Sequence, residues 1–418
     1  MTENLKLPEG WKRVRLGEIG EIVMGQSPTS SLINKEGRGV PFLQGNAEFG
    51  KKYPRPINWA TKPLKIANPE SILISVRAPV GALNISDRYY CIGRGLASII
   101  LKNAYLIYIW HLLRFNMKKL MSMSQGSTFE AIGKNDLHNL ILSLPPLPEQ
   151  QKIAEILETI DNAIEKTDKI IEKYKRIKRG LMQDLLTKGI DENGRIRSEE
   201  THKFKDSPLG RIPEEWEVVR LGEISKVKRG ASPRPIDDQI YFTEEGEGRA
   251  WIRIEDVARS NKYLKNTRQY LSKYGEEKSI KVDPYEVIMS ICATIGKPII
   301  VEVPSCIHDG FVVFKNLSSN VKEEYLYYFI SFKEDDISKL GQTGTQGNLN
   351  SIIVSNILIP LPPFPEQQRI ASILSQIDQV IEKEEAYRQK LEKIKKGLME
   401  DLLTGKVRVN KLIEEAVH

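Results

Sequence analysis

Leu144-Pro145-Pro146-Leu147-Pro148-Glu149-Gln150-Gln151 decides the fold, because the chain says it twice. It returns as Leu361-Pro362-Pro363-Phe364-Pro365-Glu366-Gln367-Gln368, and the likeness runs on to Thr187 and Thr404, with 26 of 44 positions identical. A shorter block is doubled upstream of each: 12 of 21 residues match between positions 8–28 and 213–233. Trp11 and Val14-Arg15-Leu16-Gly17-Glu18-Ile19 there face Trp216 and Val219-Arg220-Leu221-Gly222-Glu223-Ile224. The period of about 210 residues far exceeds the roughly 20–50 of a solenoid, so a whole domain is duplicated. Between the blocks the two copies have diverged almost completely. A constant frame around variable contents is expected when the frame sets geometry and the contents set specificity.

After each Pro-rich entry, apolar residues recur in alternating steps of four and three. Ile153, Leu157, Ile160, Ile164, Ile171, Tyr174, Leu181 and Leu185 form the first series, with Thr167 and Lys178 as polar interruptions. Ile370, Leu374, Ile377, Ile381, Leu391, Leu398 and Leu402 keep the same register in the second. This is a coiled-coil seam sustained for about five heptads. Pro148 and Pro365 fall where a first-turn proline is tolerated, and Glu149 and Glu366 suit the positive end of the helix dipole. About 38 residues at ~1.5 Å rise give a rod of roughly 57 Å. Matched length and register predict that the two helices pair antiparallel within one chain.

The globular stretches read as mixed α and β. Strands are expected at 71–76, 96–101, 286–291 and 311–314, and helices at 106–120 and 325–332. Ser75, Gly81 and Gly95 find counterparts in Ser290, Gly296 and Gly310. The fold class is therefore α+β: two mixed α/β domains at opposite ends of a pair of long antiparallel coiled-coil helices, in a pseudo-two-fold internal repeat. The expected segments are a first domain at 1–147, a helix at 148–190, a linker at 191–212, a second domain at 213–364, and a second helix with its tail at 365–418. The linker's counterpart would be the C-terminal tail with residues 1–7, bringing the chain ends together.

Composition narrows the function. The 418 residues are 40% hydrophobic, enough for a core in each domain, and the net charge of +7 is compatible with nucleic acid without being diagnostic. Cys91, Cys292 and Cys306 show no Cys-X-X-Cys spacing and no neighbouring His cluster. They read as reduced residues of a cytoplasmic protein, with neither a disulfide framework nor a zinc site. The most apolar stretch, 96–115, is broken by Lys102, Asn103, His111 and Arg114 and reads as a buried strand followed by an amphipathic helix, not a membrane span. Asp283-Pro284-Tyr285 approaches a methyltransferase catalytic turn but lacks the second proline, and its counterpart Asn68-Pro69-Glu70 lacks the aromatic residue. Both are expected to be turns before strands. No Walker-type Gly-Lys-Ser/Thr is present, and the five histidines are scattered. The chain is expected to be a non-catalytic reader that uses no cofactor.

At this point the motifs resemble a known family. Leu-Gly-Arg-Ile-Pro-Glu-Glu-Trp-Glu (209–217), Pro-Pro-Leu-Pro-Glu-Gln-Gln-Lys-Ile-Ala (145–154) and Ile-Lys-Lys-Gly-Leu-Met-Glu-Asp-Leu-Leu-Thr-Gly (394–405) are similar to those of the specificity subunit of type I restriction-modification systems. The resemblance spans essentially the full length. It implies two target-recognition domains, each reading half of a split sequence in double-stranded DNA. The helices would fix the gap and dock two methyltransferase subunits, and restriction subunits would join through that complex. The other readings are a stand-alone DNA-binding regulator and an assembly scaffold. Candidate DNA contacts are Lys51, Lys52, Arg55, Arg77, Arg94, Gln125 and Lys134 in the first region. The second region offers Arg229, Arg234, Arg249, Arg253, Arg259, Lys262, Arg268 and Gln342. Arginine reads guanine through two hydrogen bonds, glutamine can read adenine, and lysine more often meets phosphate. Trp11 and Trp216 are expected to anchor the domains to the helices, not to stack on bases.

Overall fold

The computed structural model describes residues 7–123, 131–342 and 349–414. It divides into two compact units, one of Met1–Lys169 with Glu385–His418 and one of Ile170–Glu384. Each unit thus holds one globular region and a part of both long helices.

The long helices run Leu147–Thr187 and Phe364–Leu403. In the first unit Asp161 pairs with Lys395, and Asp168 with Arg388 at 2.5 Å. Seven residues forward on one helix match seven back on the other, so the pairing is antiparallel. In the second unit Lys178 pairs with Asp378 at 2.6 Å. The helices repeat at an offset of 217 (378 − 161), so Asp378 is the counterpart of Asp161 and Lys178 of Lys395. Both units make the same seam contact. Lys178, read in sequence as an interruption, is half of that contact, while Thr167 is buried and its hydroxyl donates to the Ala163 carbonyl at 2.9 Å. Ile153 and Leu157 lie fully buried in the core of the first unit, and Ile370 and Leu374 in that of the second.

Each globular region contains two main sheets in the same strand order. In the first unit a five-stranded sheet runs Ile33–Asn34, Asn58–Ala60, Val40–Leu43, Tyr90–Ile92, Ile66–Ala67. In the second it runs Phe242–Thr243, Gln269–Leu271, Arg249–Ile252, Ser305–Ile307, Ile280–Val282. The central pair is parallel in both, with Phe42 opposite Cys91 and Trp251 opposite Cys306. Cys91 and Cys306 are buried at equivalent places. The other sheet runs Gly20–Met24, Leu96–Leu101, Ile72–Ser75, Leu83–Ile85 in the first unit. The second unit orders Lys226–Arg229, Phe311–Lys315, Val287–Ser290 and Pro298–Val301 the same way, then adds Tyr263–Leu264 in parallel at the edge.

Strand periodicity explains why Ile72-Leu73-Ile74-Ser75 carries no exposed polar residue. Alternate side chains point to opposite faces. Ile72 and Ile74 join the core beneath the helix Leu106–Met123, whereas Leu73 joins Leu43, Tyr90 and Ile92 from the five-stranded sheet. Val287 and Met289 against Ile288 repeat this division in the second unit. The Asn-Pro-Glu and Asp-Pro-Tyr sequences are turns before these strands, with Glu70 at φ 59° and Tyr285 at φ 70°. The expected linker carries a hairpin, Phe204–Ser207 with Gly210–Pro213. Among the described residues no helix is long and apolar enough to cross a membrane.

Candidate nucleic-acid interface

Three sets of polar side chains occur in both units. The first explains the Pro-Glu-Gln sequence. In the first unit Glu149 accepts from the Trp11 indole at 3.1 Å and from Arg408 at 2.7 and 3.0 Å. In the second, Glu366 accepts from the Trp216 indole at 3.2 Å, from Arg197 at 2.5 and 3.2 Å, and from the Ile190 amide at 2.9 Å. Gln150 accepts from the Tyr105 amide and donates to the Pro145 carbonyl, and Gln367 does the same with Lys322 and Pro362. Both tryptophans are thus engaged by helix glutamates and anchor their domains, as expected. Arg408 also donates to the Glu9 carbonyl at 3.0 Å, so the segments at Glu9 and Arg408 meet in the first unit.

The second set places two of the candidate lysines against the long helices. The Ile85 amide donates to the Lys52 carbonyl and the Ile300 amide to the Lys262 carbonyl, which places the two lysines at one structural position. Lys52 reaches Glu158 at 2.6 Å, and Lys262 reaches Ser375 at 2.6 Å, and these partners are again 217 residues apart (375 − 158). Lys262 is only 6% exposed, lies against the rings of Tyr263 and Tyr328, and its pKa is lowered by burial. Its side chain faces the long helix through Ser375. His111 and Tyr328 occupy the matching positions beside these lysines. Tyr328 donates to Asp378 at 2.7 Å, whereas buried His111 stands 3.8 Å from Glu158. Lys51, at 3.0 Å from Asp168, is turned to the same helix.

The third set is the interface candidate. Gly25-Gln26-Ser27-Pro28 and Gly230-Ala231-Ser232-Pro233 each leave a strand and lie against the turn between two others. Gly25 donates to Leu96 and Gln26 to Ile92; Gly230 donates to Phe311 and Ala231 to Ile307. A Cβ at Gly25 or Gly230 would sit 2.1 Å from the carbonyl oxygen of Gly93 or His308, so only glycine allows this approach. On this shared frame the exposed residues differ. In the first unit Ser27 bonds Gln44 at 3.2 Å and accepts from the Arg94 amide at 3.1 Å. In the second, Ser232 donates to Asp309 at 2.7 Å, with Arg234 at 3.5 Å from that carboxylate and Arg229 bonded to its carbonyl at 2.9 Å. The Ser232 hydroxyl, with His308 and Arg234 adding to it, outweighs burial and holds Asp309 below the usual carboxylate range. A cation stands at this surface in both units, but on opposite loops.

The remaining candidates fall into distinct places. Arg249 is drawn into its own unit by Asp283 at 3.0 Å and Glu276 at 3.8 Å. Arg259 and Arg268 share Glu255, at 3.7 and 3.2 Å. Arg253 is exposed at the end of the central strand, bonded to Gln269 at 3.2 Å. Arg55, Arg77, Arg94 and Lys134 are exposed and form no ion pair with a described residue. Gln125 lies outside the described residues; Gln342 ends the helix Glu334–Gln342. Gln44 escaped the sequence reading, although it follows the apolar Val40-Pro41-Phe42-Leu43 strand, where a polar residue marks a strand end.

Fold and site together define a duplicated recognition protein, one frame built twice around two different sets of presented side chains. The family model described as the type I restriction modification DNA specificity domain matches residues 8–175 and again 213–393. The chain belongs to that family and carries its domain twice. The type I restriction enzyme MjaVIII specificity subunit of Methanocaldococcus jannaschii is 29% identical over 440 residues, covering 98% of this chain and 95% of that one. A putative type I restriction enzyme MjaX specificity subunit from the same organism is 46% identical over 186 residues, which is 44% of either chain. Among solved structures, the type I restriction-modification S subunit of M. genitalium shares the fold at a TM-score of 0.62 and 17% identity, covering 96% of this chain and 99% of that one.

Proposed function

We propose that this chain supplies the DNA sequence specificity of a type I restriction-modification complex. Each globular region reads one half of a split target in double-stranded DNA, and the paired helices set the gap between the halves. Two methyltransferase subunits dock on the helices and their ends, and restriction subunits join through them, in the cytoplasm. Catalysis belongs to those partners. The observation that carries this reading is the repeated frame: each region anchored to the helices at matching positions, with different side chains at the same exposed loops. Two half-sites at fixed distance and phase require a reader with two heads and a stiff spacer, and base reading requires variable side chains on a constant scaffold.

The test is methylome sequencing of a methylation-free host that carries the neighbouring methyltransferase gene with and without this one. A split motif with a constant gap, methylated only when this chain is present, is the expected result. Methylation identical in both strains would overturn the proposal.

A further inference from the structure

The two units place a different side chain at one equivalent strand end. Phe42 stands opposite Cys91 and Leu43 opposite Ile92, while Trp251 stands opposite Cys306 and Ile252 opposite Ile307. One residue further along, Gln44 in the first unit therefore matches Arg253 in the second. Both are exposed, and both follow strands whose inward residues are buried, so the backbone beneath each is fixed. Their head groups are also held. Ser27 braces the Gln44 amide at 3.2 Å, and Gln269 braces the Arg253 guanidinium at 3.2 Å. The facing turn contributes Arg94 in one unit and Asp309 in the other, on backbones that meet at Gly25 and Gly230.

We propose that Gln44 and Arg253 are the equivalent base-reading positions of the two units, Gln44 for an adenine and Arg253 for a guanine. This rests on the reading of each unit as a DNA half-site reader. The chemistry follows from donor geometry: a carboxamide offers one donor and one acceptor, matching adenine N6 and N7, and a guanidinium offers two parallel donors, matching guanine O6 and N7. A flexible surface side chain would lose entropy on docking, whereas a braced one loses less. Three other cations of the second unit are less suited to reading. Arg229 and Arg234 are engaged with Asp309, and Arg249 is held by Asp283 and Glu276.

The experiment compares the wild-type chain with Gln44→Ala, Arg253→Gln and Arg253→Lys, each co-expressed with the methyltransferase, by methylome sequencing. Thermal melting of the purified chains checks folding. Arg253→Gln should relax or switch a single guanine in one half-site and leave the other half-site intact. Gln44→Ala should relax a single adenine in the opposite half-site. Discrimination at the affected base should fall on the order of ten- to a hundred-fold, the range of one bidentate contact. Arg253→Lys, which keeps the charge but loses the fork, should lose most of the guanine preference. Unchanged motifs, or uniform loss of methylation at both half-sites in a stably folded variant, would overturn the assignment. If the wild-type chain directs no split motif, the half-site reading itself fails; if the wild type directs one and the variants direct the same one, that reading stands and this inference falls.

Discussion

Arg197 and Arg408 perform one task with different access to water. Each clamps a glutamate in the first turn of a long helix while a tryptophan indole donates to the same carboxylate. The Arg197 side chain is 9% exposed and that of Arg408 27%, while both glutamates are 3% exposed. Burial alone would lower the Arg197 pKa, but the hydrogen bond and charge of Glu366 raise it. Removing one member of a buried pair leaves an uncompensated charge and costs about 3–5 kcal/mol. Arg197→Met should therefore fall in that range, with Arg408→Met costing clearly less because water can reach Glu149 from the side that Arg408 vacates. Urea unfolding of the two variants and the wild type gives the ranking. Equal, small shifts would mean that the indole and backbone donors suffice for the carboxylates. Gly189 belongs to the same cluster: at φ +66°, its absent Cβ leaves room for Glu366 and Trp216, which would otherwise be met at 2.2 and 2.4 Å.

Where the helix Leu106–Met123 meets the first long helix, His111, Glu158 and Lys52 form a titrating junction that the other unit lacks. His111 and Lys52 together pull Glu158 down to about 2 against the opposing effect of burial; at 3.8 Å His111 is beyond hydrogen-bond length, so Lys52 at 2.6 Å is the closer partner. Burial holds His111 below its ordinary 6.5. Both folded values lie below the unfolded ones, so the unfolded chain takes up protons first as pH falls. Stability from this junction is complete above pH 6.5, begins to fall as His111 is forced to charge, and falls again between 4.5 and about 2 as Glu158 protonates. Tyr328 and Ser375 stand at the matching positions of the second unit, and neither gains a proton in this range. Denaturation series from pH 7 to 4 should show the first loss in the wild type and not in His111→Tyr; an identical slope in both would refute it. None of this was legible in the sequence, whereas the strands at 96–101 and 311–314 and the seam of both helices were. Strand and helix periods are local, and duplication made them doubly visible. Lys52 and Lys262 become equivalent only through the amides of Ile85 and Ile300, because loops of unequal length separate them from the repeated blocks. Their partners lie 106 and 113 residues away. Charge alone marks both as DNA candidates in the sequence, and the structure turns both side chains toward a long helix. Gln44, exposed at a strand end, carries no charge that would single it out in the sequence.

At the scale of the whole molecule, the repeated contacts make the helices separable from what they carry. Every anchoring group, from Glu149 and Gln150 to Glu158 and Asp161, and from Glu366 and Gln367 to Ser375 and Asp378, lies on the side of the unit boundary nearest its own globular region. Seven residues inserted after Lys169 and seven after Glu384 would leave all of those contacts in place. A heptad preserves the apolar seam, because the seam repeats every seven residues. The insertion lengthens each helix by about 10 Å, or about three base pairs of duplex at ~3.4 Å each. It turns the helix by only about 20° relative to a straight continuation, whereas three base pairs turn DNA through roughly a third of its 10–10.5 bp turn. That mismatch must be absorbed by twisting the duplex or tilting the recognition domains. The expected outcome is therefore specific: both half-sites keep their bases, the gap grows by about three base pairs, and methylation becomes less complete. An insertion of four residues in each helix should instead disturb the seam, since four residues are a stutter in a seven-residue repeat, and should lower the melting temperature. Methylome sequencing of the two insertion variants beside the wild type separates these outcomes. An unchanged gap in the seven-residue variant would mean that the spacing is set by the methyltransferase partners and not by this chain.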